Sequence, residues 1–134
     1  MSDASLPLQA AVVAALKASL PLAALVGTKI YDRVPDATAA PYVKLSGWQE
    51  INDDTDCSDS SEVFFDVQCY STAVGRPQVA NIASAVKAAL NKLEPSVTGF
   101  SGTQILHRST LYFYEADGTT ERAVVNFHAL IDSN

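Results

Sequence analysis

Residues 60–93 constrain this chain more than any other stretch. The run SSEVFFDVQCYS alternates strictly, with Val63, Phe65, Val67 and Cys69 pointing one way and Phe64, Asp66, Gln68 and Tyr70 the other. After Gly75 comes GRPQVANIASAVKAALNKL, which repeats Val79, Ile82, Val86, Leu90 and Leu93 at helical spacing. Pro77 falls at a first-turn position, where its missing N–H leaves no bond unmade. A strand with one apolar face, followed by a helix with one apolar stripe, buries both by packing the helix on the sheet. The other sheet face then stays uncovered and partly aromatic, and function is to be sought there.

A chain of 134 residues fits one domain, spanning 1–134, that buries roughly two-thirds of the surface exposed by its unfolded form. Nine basic against fifteen acidic residues give a net charge of −6, and the basic ones are scattered. Duplex binding needs a basic stripe to neutralise phosphates, so it is disfavoured. Cys57 and Cys69 have no metal or disulfide spacing; Cys69 reads as a small core residue and Cys57 as a loop thiol in a reducing compartment. The apolar start LPLQAAVVAALKASLPLAALV is neither signal nor membrane span: Asp3 stands where a basic residue belongs, Lys17 interrupts it and Pro21 breaks it.

A first helix begins near residues 5–7, carries Leu8, Val12, Ala15 and Leu16 on one face, and stops before Pro21. A short turn over 21–26 ends at Gly27 in a left-handed cap. A brief strand at 29–31 precedes a strand at 42–51, in which Val43 and Leu45 oppose Tyr42, Lys44 and Trp48. That strand and the one from residue 60 form a hairpin, with the acidic residues 52–61 as its tip. The chain closes with strands over 104–115 and 121–132 joined at Asp117-Gly118. A two-residue loop there pairs Tyr112 with Ala123, Thr110 with Val125 and Arg108 with Phe127. A three-residue loop, with Gly118 in a bulge, pairs Leu111 with Ala123, Ser109 with Val125 and His107 with Phe127. The second register gathers Leu111, Phe113, Ala123, Val125, Phe127, Ala129 and Ile131 on one face and is the one expected. The fold class that follows is α+β: an antiparallel sheet of four to five strands with two helices packed on one face.

Catalytic and metal chemistry find little support. A calcium loop starting at Asp54 would put Asp59 where glycine is needed and Phe65 where the bidentate glutamate belongs. Asp53, Asp54, Asp56, Asp59 and Glu62 therefore read as a solvated loop. His107 and His128 fall on opposite faces of the last hairpin and do not converge. Ser101 in GFSG lacks the spacing of a nucleophile elbow, and the GRPQ turn has too few glycines for a phosphate loop. No catalytic residue, cofactor or metal is expected.

The segments LAALVGTKIYDRVP, APYVKLSGWQ, SSEVFFDVQCYS and GRPQVANIASAVKAAL, in this order, resemble the tail-completion, or tail-terminator, proteins of long-tailed bacteriophages and gene transfer particles. The resemblance implies a non-enzymatic assembly role. Copies of the chain would form a ring, usually of six, on the head-proximal end of the tail tube. The ring would stop tube growth and join the tail to the head connector or stopper protein; the alternatives are a head-completion or neck protein that plugs the connector, and a small ligand-binding α+β domain that uses the sheet face as a pocket. It also implies a virion location after assembly in the host cytoplasm, and no membrane partner. The residues of this chain expected at interfaces are Tyr42, Trp48, Phe64, Tyr70, Tyr112 and Tyr114, placed with Val124 on the uncovered face, since aromatic residues in polar surroundings are enriched at protein contacts. Asp53, Asp54, Asp56, Asp59 and Glu62 are expected at contacts between rings or along the lumen. There a negative charge would let DNA pass without specific binding.

Overall fold

The structure, a computed structural model, describes residues 4–52, 60–72, 76–115 and 119–133. Its elements run α1 (Ser5–Ala18), α2 (Leu20–Val26), β1 (Ile30–Tyr31), β2 (Tyr42–Asn52), β3 (Ser60–Ser71), α3 (Pro77–Leu90), β4 (Phe100–Tyr114) and β5 (Glu121–Ser133). The strands form one five-stranded sheet in the order β1-β2-β3-β5-β4.

Two features of the expected fold class need correction. The sheet is mixed, because β1 pairs with β2 in parallel; the other neighbours are antiparallel. The described residues form three helices, because the N-terminal apolar run is divided at Ser19 into two that bend by 81°. Ser19 leaves helical geometry and its hydroxyl accepts from the N–H of Leu22, with Pro21 in the first turn of α2. Gly27 ends α2 with φ +63°, a conformation that favours glycine. No single helix among the described residues is long and apolar enough to cross a membrane.

β3 alternates between buried and half-buried side chains along its full length, as its sequence predicts. Val63, Phe65, Val67 and Cys69 join Val125, Phe127, Ala129 and Ile131 of β5 in the core. Leu8, Val12 and Leu16 of α1, Leu22 and Val26 of α2, and Val79, Ile82, Val86 and Leu90 of α3 belong to the same cluster. At its centre Phe65 and Phe127 stack with ring centroids 5.5 Å apart. The Cys69 thiol is pushed up to about 12 by burial, so it is an inert core group.

Two bulges decide which side chains reach which face. In β2 the pairing with β3 shifts between Ser46 and Gln49, around Gly47 at φ +70°. The positive φ calls for glycine, and a Cβ there would lie 2.6 Å from the Asp66 carboxylate, which would have to turn aside. The extra residue turns Trp48 to the side of Val43 and Leu45. It stacks on Phe65 at 4.8 Å and packs against the core, contrary to its expected place on the uncovered face.

In β4 the pairing shifts between His107 and Ser109. Before the shift His107 opposes Phe127; beyond it Thr110 opposes Val125 and Tyr112 opposes Ala123. Each of the two competing registers thus holds for one half of the strand, with Arg108 as the extra residue between them. The expected outer half is overturned: Tyr112 and Tyr114 share the parity of core-facing Ala123, while Leu111 and Phe113 take the opposite side.

Candidate protein-docking surface

The sheet face opposite the core carries two connected groups of side chains. The first starts at Phe64 on β3. The Arg108 guanidinium lies 4.9 Å above its ring centroid, and the His128 imidazole stacks alongside at 6.0 Å. His128 Nδ1 is 2.7 Å from the Glu62 carboxylate, both side chains being about a quarter exposed. Alternation from core-facing His107 sends Arg108 outward over Phe64, and the bulge then puts Ser109, opposite Asn126, on the same side and reverses the parity of the residues beyond.

The second group lies toward the β4–β5 turn. Tyr42 and Tyr70 stack at 4.8 Å, Tyr31 meets Tyr42 edge-on at 6.5 Å, and the Tyr70 hydroxyl donates to Gln68 at 2.7 Å. Gln68 in turn donates to the Ser46 hydroxyl. Partial burial raises the pKa of both tyrosines, with the Glu115 carboxylate adding to the rise in each, while for Tyr70 the Arg122 guanidinium opposes it. Both phenols therefore remain neutral hydrogen-bonding groups at physiological pH. The Arg122 guanidinium stands 4.8 Å over the Phe113 ring and forms an ion pair with Glu115, Nε to Oε1 at 2.6 Å.

Asp66 sits between the two groups. Burial raises its pKa and Arg108 draws it down in part. Leu111 and Phe113 of β4 extend the face outward, half exposed. Paired arginines and aromatic rings of this kind present wide, pre-ordered surfaces with little side-chain freedom left to lose on contact.

The structure therefore brings Tyr42, Phe64 and Tyr70 onto one face, and places Glu62 there with His128. Trp48 belongs to the core side. Tyr112 and Tyr114 project on that side too, beyond the core, with Arg76 over the Tyr112 ring at 4.5 Å. Asp53, Asp54, Asp56 and Asp59 lie outside the described residues. His107 meets the edge of Phe127 at 5.8 Å while His128 stacks on Phe64, so the two imidazoles are on opposite faces. Sequence reasoning missed Arg108, Arg122, Leu111 and Phe113. The available signal was the two arginines in the closing strands, since a guanidinium set among aromatic residues can lie over a ring face. No group of three metal-ligating side chains is gathered among the described residues.

Fold and surface define a class: a small α+β domain whose polar and aromatic chemistry is displayed on an open sheet face. Within that class the chain belongs to the tail completion protein gp17 family, which matches residues 10–132. Members are phage-type tail structural proteins. The chain is similar along 99% of its length to all of a chain from the virion of a native gene transfer agent particle, with 25% identity and a TM-score of 0.91. A second solved structure shares the fold at 11% identity and a TM-score of 0.65, covering 97% of this chain and 96% of that one. Curated proteins give no significant sequence match.

Proposed function

We propose that the chain acts as a single structural domain in a virion of phage or gene-transfer type. Copies of it form a ring at the head-proximal end of the tail tube, stop tube growth and join the tail to the head connector. In this reading the helices cover one face of the sheet and the opposite face, with Tyr42, Phe64 and Tyr70, is turned to partner proteins. The acidic residues Asp53, Asp54, Asp56, Asp59 and Glu62 serve contacts between rings or line the passage for DNA, which they repel. The chain catalyses no reaction in this role and requires no cofactor or metal.

The observation that carries this reading is the end-to-end likeness to a virion chain, 99% of one and 100% of the other. The arginine and aromatic dress of the exposed face supports a protein partner. Electron microscopy of particles made with the gene stopped early tests it. Overlong tails beside filled, tailless heads are the expected result. Normal tails beside leaking heads would move the role to head completion, and intact infectious particles would overturn it.

A further inference from the structure

The two margins of the sheet differ in a way that suits a second copy of the chain. On one margin, the described residues shield β4 only in its first half. The Lys92 N–H donates to the Ile105 carbonyl, the Ile105 N–H to the Leu93 carbonyl and the His107 N–H to the Asn91 side chain, so residues 91–93 cover the strand edge as far as the bulge. Beyond it, residues 109–114 project as an arm bearing Leu111, Tyr112, Phe113 and Tyr114, between 37% and 64% exposed. An exposed, apolar edge strand invites pairing, and folds normally blunt it.

On the opposite margin, beyond the two-residue β1, lies an open groove of about 810 Å³ between α1 and β1. Leu6, Ala10, Val13 and Ala14 form its apolar wall, with Ile30 and Tyr31 across from them. The small alanines leave room for rings from outside. Lys17 is the one cation among the residues that line the groove. The one acid there, Asp32, accepts a hydrogen bond from Gln9.

We infer that the β4 arm of one copy docks into the α1–β1 groove of the next. The inference rests on the ring reading above. A closed ring of more than two identical subunits requires head-to-tail contacts between two different surfaces, and these two lie on opposite margins of one sheet. Three aromatic side chains that bury 150–250 Å² each in full have about half of that area still exposed here, so together with Leu111 they supply roughly 300–400 Å², a little under half of the ~800 Å² per partner that a standard interface needs. Tyr31 links the groove to the Tyr42–Tyr70 stack on the exposed face.

The test places a photoreactive side chain on the arm, Phe113→p-benzoylphenylalanine, in intact particles, and maps its cross-links by mass spectrometry while counting copies per particle. Cross-links to residues 6–17 or 30–32 of another copy are expected. Several copies per particle with cross-links to another copy's arm, to a different protein or to nothing would overturn the docking and leave the ring standing. A single copy per particle would overturn the ring itself. Mixing gives a second readout with purified chains at matched concentration. Phe113→Glu and Ala14→Glu are each expected to be monomeric, and their mixture to stop at dimers, since each keeps one good surface. Oligomers of either variant alone that match the parent in size would overturn the docking.

Discussion

β3 and the outer half of β4 belong to one sheet and each carries three aromatic residues, yet their side chains meet opposite fates. Along β3 every second residue is buried, and Phe65 touches aromatic rings on both sides. Past Arg108, β4 carries Leu111, Tyr112, Phe113 and Tyr114 between 37% and 64% exposed, with arginine side chains over two of the rings. β3 has a neighbour on each edge and helix-borne side chains against its core face, whereas the outer part of β4 is paired with β5 alone. Apolar residues therefore report folding in the first case and are left over from it in the second. An exposed run of this kind has a stability cost in aggregation risk, which a protein retains when the surface serves a partner.

The comparison breaks most sharply at the core. Phe127→Ala, or Phe65→Ala, removes a fully buried ring and leaves a cavity, so a loss of about 3–5 kcal/mol is expected in chemical denaturation. A loss below about 1 kcal/mol would mean that β3 and β5 are no better packed than the arm. Gly47→Ala comes next. A side chain there must accept φ +70° and displace the Asp66 carboxylate from 2.6 Å, for an expected cost of about 1–3 kcal/mol. Because Asp66 is a side chain and able to turn, Asp66→Ala should recover part of that loss, while the backbone share persists.

How much of this was legible in the sequence follows the same division. The alternation of β3 and the apolar stripe of α3 were readable because burial on one face leaves a period in the residues. The two bulges were not equally hidden. Gly47 is a glycine inside a strand pattern, which is itself a bulge signal, and heeding it would have turned Trp48 to the core. Arg108 carries no such mark. Its only trace is that each register for the last hairpin satisfies one half of β4, since His107 suits Phe127 in one and Tyr112 suits Ala123 in the other. The parallel pairing of β1 was beyond reach, as two residues have no period. The exposed face was legible in Tyr42, Phe64 and Tyr70, but not in the rings at 112–114, whose side depends on the bulge.

Smaller effects sharpen the contrast. Phe113→Ala should change monomer stability by less than about 1 kcal/mol, the loss being the Arg122 contact over a ring already 42% exposed. The same substitution should sharply reduce assembly into particles, measured as the fraction of tails joined to heads. A monomer destabilised as strongly as by Phe127→Ala would show the arm to be part of the core after all.

The bulge itself supplies the finest test, because His107 stands where the two regimes meet. Its ring edge lies on Phe127, its Nε2 is 2.8 Å from the Thr110 hydroxyl, and burial followed by the nearby Lys87 charge lowers its pKa from 6.5. The unfolded chain therefore takes up the proton first as pH falls. Folding stability is complete above the ordinary imidazole value and declines as pH drops from about 6.5 through the lower folded value. The slope should be gentle, since the ring is only half-buried. His107→Gln should flatten this part of the profile in denaturation titrations. If it does, the imidazole is held by the Phe127 core and the boundary between the two halves falls beyond residue 107. If the slope is unchanged, the ring is solvated like the arm, and the boundary falls one turn of the pleat earlier, at Ile105.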